Sequence, residues 1–539
     1  MLLPECRDYE TLRREFRWNI PARFNIAHYT CDRWAATTPE RPAIVHKRQG
    51  GQVRTVTCLE FQRTANRIAN LLAAHGVERG DRVAILLPQS PETALVHTGV
   101  QKLGGISLPL ADLFGIEALE YRLNNAGVKA LVTSAASLGK IAELRPRTPA
   151  LANVWSIDGP GDGAMDFHAA LSKASDSFET VDTHADDPGL MIYTSGTTGP
   201  PKGALHAHRV IAGHLPCVQF SHDFLPQADD CIWTPADWAW IGGLINIMFA
   251  GLFLGVPVVA HRFEKFDPER AYALMAELDV RNTFLPPTAL KMMRAAPPSH
   301  AADGLNLRTI FSGGEAVGRE LQDWAQEQFG LHINEVFGQT ECNLVIGSSG
   351  AAGIFRKGSL GKPIPGHDVA IIDKEGRKLP PGETGAIAVR RPDPVMFLEY
   401  WNRPEATRDK FIGDWLVTGD QGYADEDGYF YFVGRDDDVI TSAGYRIGPG
   451  EVEDCLLGHP AVKVAAVVGK PDPLRNEIVK AFLVLNDGHA PSDALASEIQ
   501  LYVKDRLAAH EYPREISFED GLPMTTTGKV IRRLLREKA

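Results

Sequence analysis

Apolar and polar positions change their period along the chain, and each change marks a different kind of element. The run LEFQRTANRIANLLAAHG (59–76) spaces its apolar residues three and four apart and stops at Gly76, which predicts an amphipathic helix ended by glycine. RVAILLP (82–88) is a short continuous apolar run, and ISLPL (106–110) and KALVTS (129–134) follow it with helical stretches between them. Short strands that are apolar on both faces and alternate with helices predict mainly parallel sheet covered by helices. After about Gly366 the rhythm becomes that of hairpins: HDVAIIDKEGRKLPPGETGAIAVRR (367–391) sets turn residues between two alternating runs, a small antiparallel β piece. Beyond the charged run GRDDDVI (434–440), strands AVKVAAVVG and EIVKAFLVLN precede the helical SDALASEIQLYVKDRLAAH, the size of a small α+β domain. The expected class is therefore α/β, a large N-terminal region over 1–434 and a small α+β C-terminal domain over 435–539. GPGDGAMD (159–166) reads as a surface loop.

One segment imitates a membrane span, because WAWIGGLINIMFAGLFLGVPVVA (238–260) carries no formal charge over a bilayer-crossing length. Asn246, the glycines and Pro257 interrupt it and VPVVA is strand-like, so the expectation is a buried helix then a strand, with no stable membrane insertion.

Composition narrows the class further. With 539 residues the chain holds roughly three or four folding units, and 44% hydrophobic with 23% charged residues is ordinary for a globular protein. A formal net charge of -12 argues against a general grip on nucleic acid or anionic lipid, so a ligand phosphate must be held locally. The seven cysteines are odd in number and include no C-x-x-C pair, which suggests neither a disulfide frame nor a zinc site. The N-terminus MLLPECRDYETLRREFRW lacks the apolar core of a signal peptide, and a reduced, cytoplasmic location is expected. Oligomeric state is left open.

A phosphate-holding segment stands at YTSGTTGPPKGALHAHR (193–209). GLMIY before it is strand-like and ALHAHRVIAGHL after it has a helical pattern, so the loop is expected between a strand and a helix. Glycine amides can approach an anion, hydroxyls add donors, a helix N-terminus adds partial positive charge, and Lys202 neutralises phosphate. No G-x-x-x-x-G-K-[ST] occurs here, and by composition alone the segment also reads as a flexible surface turn. His206, His208 and His214 lack an accompanying carboxylate cluster, which disfavours a metal site, and the absence of G-x-S-x-G disfavours a serine hydrolase.

Taken with YTSGTTGPPKG, the later stretches FGQTE (337–341), TGD (418–420), YFVGRDDDVITSAGYRIGPGEVE (431–453) and TTTGKVIRR (525–533) resemble, in this order, the AMP-forming acyl-CoA synthetase family. That family also contains luciferases and peptide-synthetase adenylation domains. The resemblance spans almost the whole chain and implies an acid–thiol ligase using ATP, Mg²⁺, coenzyme A and a carboxylic acid. It implies that Thr194, Ser195, Gly196, Thr197, Thr198, Gly199, Pro200, Pro201 and Lys202 cover the β- and γ-phosphates. Glu335, Val336, Phe337, Gly338, Gln339 and Thr340 would form the adenine-side wall, with Thr340 and Glu341 nearest the α-phosphate and Mg²⁺. A buried glutamate is costly unless paired, which makes a cation partner reasonable for Glu341. Asp420 would accept both ribose hydroxyls, Arg435 beside it would reach phosphate and ribose, and Gly314 with Glu315 resembles the adenine-stacking turn.

The resemblance also implies a two-step reaction. The substrate carboxylate attacks the α-phosphorus of ATP and expels pyrophosphate, with Lys529 as the cation that bridges carboxylate and phosphate. The C-terminal domain then rotates on a hinge carboxylate, Asp437, and presents the TSAGYRIG face (441–448) to the same adenylate. There Gly444 would let the pantetheine arm pass, and Arg446 would hold phosphate in one of the two states. The basic tail IRRLLREKA reads as a solvated helix end ahead of a CoA-phosphate contact.

WTPADWAWIGG (233–243) resembles the acyl-pocket region, with Trp240, Ile241 and Gly242, together with Gly313 and Gly338, as pocket residues. Acetate-activating members of the family carry tryptophan immediately before Gln-Thr-Glu, where this chain has Gly338. Loss of an indole is expected to open room for a medium-chain, branched, alicyclic or aromatic monocarboxylate, each methylene contributing about 1 to 3 kcal/mol. Gly338→Trp is then expected to shift preference to two- or three-carbon acids. A bulky neighbour such as Phe337 refilling the volume is the alternative. For function, the alternatives are a stand-alone ligase loading an acyl carrier protein and a catalytically inactive nucleotide-binding relative.

Overall fold

The computed structural model describes the chain apart from residues 5, 49, 195–199, 297–303, 437, 443–444, 474, 508–510 and 526–528, and apart from the side chains at 441, 445 and 446. Among the described residues two large sheets carry the N-terminal region. One has eight strands in the order Glu399–Tyr400, Lys202–Ala207, Pro188–Thr194, Ile106–Pro109, Arg82–Leu86, Ala130–Thr133, Asn153–Ser156 and Met165–Asp166. The other has nine, running from Lys362–Pro363 through Cys342–Gly347, Ile333–Gln339, Thr309–Gly313, Asn282–Phe284, Ile232–Trp233, Val258–Ala260 and Pro42–Lys47 to Val53–Thr57. Both interiors are parallel, as the continuous apolar runs predict. Both turn antiparallel at an edge, Pro188–Thr194 against Lys202–Ala207 in one and Ile333–Gln339 against Cys342–Gly347 in the other.

The predicted helix forms at Cys58–Ala74, where the Thr57 hydroxyl accepts from the Glu60 amide at the start and Gly76 at φ +79° leads out at the end. The uncharged stretch also follows expectation. Ile241–Gly243, the π-helical Leu244–Phe249 and Ala250–Leu254 make one buried helical run, Gly255 reverses it at φ +70°, and Val258–Ala260 enters the nine-stranded sheet. Among the described residues no helix is long and apolar enough to cross a membrane. A single apolar cluster joins Val83, Ile85 and Ile192 of one sheet, through Leu215 and Phe249, to Ile44 and Val258 of the other. The two sheets are thereby packed through shared helices.

The hairpin Val369–Ile372 with Gly385–Arg390 forms as predicted and continues through Trp415–Ala424 to Phe430–Arg435 in an antiparallel sheet. The C-terminal region pairs Val462–Asp472 with Asn476–Leu485 and adds the helix Asp493–Arg506. Two expectations need correction. The segment after Gly203 begins as the strand Lys202–Ala207, and a helix starts only at Val210. Small residues there fit a helix by pattern, but the pairings Tyr193↔Gly203, Ile192↔Ala204 and Met191↔Leu205 decide in favour of strand. The loop GPGDGAMD ends in the short strand Met165–Asp166, whose Asp166 caps the next helix.

Candidate active site

Both motif loops sit where a parallel sheet turns back on itself. Thr194 and Lys202 are direct partners across the glycine-rich hairpin. The element that directly follows the loop is the strand Lys202–Ala207 and the next helix starts only at Val210, so the helix expected immediately after the loop is replaced by a strand that carries the Lys202 ammonium. Ser195 to Gly199 lie outside the described residues; Pro200 and Pro201 lead into the strand. In the second hairpin Thr340 and Glu341 form the turn between Ile333–Gln339 and Cys342–Gly347.

The side chains of the two hairpins meet at Tyr400, which motif inspection missed. Its hydroxyl donates to Glu341 Oε1, and the Lys202 ammonium stands 5.0 Å from its ring centroid. Burial and the adjacent Glu341 carboxylate push the phenol above its ordinary range, so it stays protonated and acts as donor. A second unforeseen residue, Lys410, donates to Gln339 Oε1 at 2.9 Å and to the Thr418 carbonyl at 3.3 Å, while Gln339 Nε2 donates to that carbonyl at 2.8 Å. Together they tie the Gln-Thr-Glu turn to the Thr-Gly-Asp strand.

Asp420 and Arg435 are register partners on neighbouring antiparallel strands, 3.4 Å apart. Asp420 is 6% exposed, and burial pushes its carboxyl up to about 6 against the pull of Arg435. The Lys529 amide donates to the Thr525 hydroxyl at 3.0 Å, the Thr525 amide donates to the Lys529 carbonyl at 2.7 Å, and Lys529 Nζ donates to the Gly314 carbonyl at 2.9 Å. Burial lowers the ammonium's pKa, opposed by Glu315 and Asp420; burial raises Glu315, opposed chiefly by Lys529. Gly314 has φ +91°, and a Cβ there would stand 3.2 Å from Trp240 and 3.9 Å from Lys529 Nζ. A glycine at this turn is what admits both groups. Thus Lys529, Gly314, Glu315, Asp420, Arg435 and Trp240 share one neighbourhood.

Other expected residues serve the frame. Glu335 is buried, its Oε1 accepting from the Val317 amide at 3.2 Å, and burial pushes it up to about 8, so it carries its proton at neutral pH. Val336 and Phe337 are buried, and Gly313 lies against the Val336 carbonyl, where a Cβ would come within 2.6 Å. Trp240 folds back over Gly242, whose Cβ would meet its ring at 2.8 Å, and Ile241 is packed in the main core. Asp437 and Gly444 lie outside the described residues, as does the Arg446 side chain, although Arg446 pairs with Thr441 through the backbone.

The volume argument at Gly338 fails. This residue sits at a register shift between its hairpin strands, and a Cβ there would fall on the Leu344 amide nitrogen and within 2.8 Å of Asn343 Cα. Backbone fills the space that an absent indole was expected to vacate. The basic tail is likewise no loose end: Arg532 Nη2 donates to both Glu453 oxygens at 2.8 and 2.7 Å, and Arg536 to Asp438 at 2.8 Å. His206, His208 and His214 are buried with pKa values lowered by burial, and among the described residues no group of three or more His, Cys, Asp and Glu could hold a metal.

Two glycine-punctuated hairpins, a carboxylate–arginine pair and Lys529 on Gly314 are gathered in the fold of an adenylate-forming ligase. The chain belongs to the AMP-binding enzyme family, whose profile matches residues 31–401, with the AMP-binding enzyme C-terminal domain matched over 451–529. It is similar to the acetyl-coenzyme A synthetase of Bacillus subtilis (strain 168), 36% identical over 98% of this chain and 95% of that protein. Among solved structures, the anthranilate CoA ligase AuaEII in complex with anthranoyl-AMP superposes with TM-score 0.88 at 28% identity, covering 96% of this chain and 98% of that one. A benzoate CoA ligase from Burkholderia xenovorans LB400 superposes with TM-score 0.84 at 28% identity over 95% and 100% of the two chains. The protein is an AMP-forming acyl-CoA ligase.

Two consequences are measurable. Because the Glu335 pKa is raised on folding, the native state binds the extra proton between about 4.5 and about 8, and stability falls as pH rises through that window. Glu335→Gln removes that slope, so the melting temperature of the variant is expected to drop less between pH 5 and pH 8 than that of the unaltered protein. Gly338→Trp, by overpacking main chain, is expected to destabilise by about 3 kcal/mol, the upper end for overpacked sites; a well-folded variant with switched chain-length preference would restore the volume argument.

Proposed function

We propose that this ligase activates a medium-chain, branched, alicyclic or aromatic monocarboxylate, and that the residues gathered above bind ATP and carry the transfer. The contact of Lys529 with Gly314, beside Glu315, Asp420 and Arg435, is the observation that supports the roles most directly. A flexible point charge resting on a neutral carbonyl is free to pass to the carboxylate and α-phosphate oxygens as charge moves between them. Thr194, Lys202 and the loop between them would take the β- and γ-phosphates, and Asp420, ionised above about pH 6, would accept the ribose hydroxyls. Glu341, 6% exposed, offers a single carboxylate, which suits Mg²⁺ held by one protein ligand together with nucleotide phosphates. Bound there, the ion would neutralise charge on the departing pyrophosphate.

For the acid, the Trp240 ring lies 3.2 Å from where a Cβ on Gly314 would stand and is backed by the buried Phe284, 5.7 Å away between ring centroids, which in turn packs on Phe311 at 5.1 Å. An indole held there by packing favours an apolar acyl group over acetate. For the second step we assign 1–434 and 435–539 as the two moving parts with Asp437 as hinge, and coenzyme A meeting Gly444 and Arg446 on the exchanged face. Seven unpaired cysteines suit a reducing cytoplasm.

A panel of carboxylates with ATP, Mg²⁺ and coenzyme A, following AMP and thioester together, tests the substrate. Hexanoate, cyclohexanecarboxylate or benzoate is expected to exceed acetate by at least about tenfold in kcat/KM; preference for acetate would overturn the assignment, and ADP in place of AMP would overturn the reaction. Lys529→Ala is expected to slow adenylate formation by about 100-fold or more while thioester synthesis from supplied acyl-adenylate changes little. Equal loss in both half-reactions would remove Lys529 from its step-specific role.

A further inference from the structure

The segment that holds Tyr400 is bonded to both motif hairpins. On one side Tyr400 pairs with Ala204 and Glu399 with Leu205, and the Trp401 amide donates to the Gly203 carbonyl at 2.7 Å, all on the strand that begins at Lys202. On the other, the Phe397 amide donates to the Glu341 carbonyl at 2.8 Å, and Met396 bridges to Cys342. The Phe397 ring packs edge-on against Tyr400 at 4.8 Å. Tyr400, 3% exposed, is therefore fixed in place by main chain and packing alike. Its hydroxyl reaches Glu341 and its ring face lies toward the Lys202 ammonium.

We propose that Tyr400 is a positioning residue that orients the Glu341 carboxylate for a divalent cation and supports the Lys202 ammonium for the triphosphate, so that metal and nucleotide bind interdependently through one side chain. This rests on the nucleotide and metal roles given to Lys202 and Glu341 above. A phenol donating to one carboxylate oxygen leaves the remaining lone pairs aimed and available to a cation. Partners of metal ligands of this kind typically contribute 10- to 100-fold to affinity or activity. The ring face contributes a separate attraction to the ammonium. The two contributions can be separated, because phenylalanine keeps the ring and deletes only the hydroxyl.

Calorimetric titration with ATP, once in MgCl₂ and once in EDTA, reads the gain in nucleotide affinity that the metal provides. Tyr400→Phe is expected to lower that gain about tenfold while leaving metal-free ATP affinity within about twofold of the unaltered protein. Tyr400→Leu, which also removes the ring, is expected to lower metal-free affinity several-fold as well. A Phe variant with an undiminished metal gain, or one weakened equally in both buffers, overturns the coupling. If the Leu variant melts early, the Phe variant alone decides. Failure of the underlying function looks different: the unaltered protein would then bind no ATP in either buffer and release no AMP with any acid.

Discussion

The site depends on a strip of main chain, Met396 to Trp401, that is bonded simultaneously to two hairpins from two different sheets. Thr194 and Lys202 on one hairpin and Thr340 and Glu341 on the other lie far apart along the chain, and a fixed relation between them needs a third element. Here each pair belongs to an antiparallel edge hairpin, and one strip fixes the distance between them with backbone hydrogen bonds. Side-chain chemistry then follows from position: Tyr400 lies where the strip crosses from one hairpin to the other. Lys410 does the same work one step further out, joining Gln339 to the strand that carries Asp420.

Burial sets the electrostatics of this frame. The chain's formal net charge is -12, so no general positive field draws ATP in, and the cations that matter are few and placed. Asp420, Glu315 and Lys529 are each displaced by burial toward their neutral forms and restored by one another or by Arg435. In the proposed role, a ligand bringing phosphate and ribose hydroxyls would complete interactions that solvent no longer supplies to this set. Glu335 stands at the other extreme, buried and neutral, where it satisfies the Val317 amide and adds no charge to its surroundings.

Much of this was legible in the chain, and what escaped had physical causes. Helix–strand alternation, the later hairpins and the uncharged buried helix all announce themselves by period, since burial on one or two faces writes itself into the sequence. The stretch after Lys202 did not, because Ala204, Ala207 and the histidines fit either period and only pairing with Pro188–Thr194 makes it a strand. Gly338 misled for a related reason: a missing side chain signals either empty volume or close backbone approach, and sequence does not say which. Tyr400 and Lys410 carry no motif at all. Their partners Glu341 and Gln339 lie 59 and 71 residues away along the chain, and only the strip and the folded sheets bring them into contact.

The placement of Lys529 follows the same logic at the far end of the chain. Lys529 is bonded through its main chain to Thr525, and the helix that follows is clamped by Arg532 on Glu453 and Arg536 on Asp438, so the lysine is presented by a bonded support. Yet its own ammonium rests on a neutral carbonyl. A carboxylate partner in that place would have to be surrendered, at the cost of a buried unpaired charge, whenever the lysine moved to phosphate or left the site. A carbonyl at Gly314 can be released cheaply, so rigidity belongs to the support and exchangeability to the contact. That division is what a group must have if it is to serve one half of a reaction and be absent from the other.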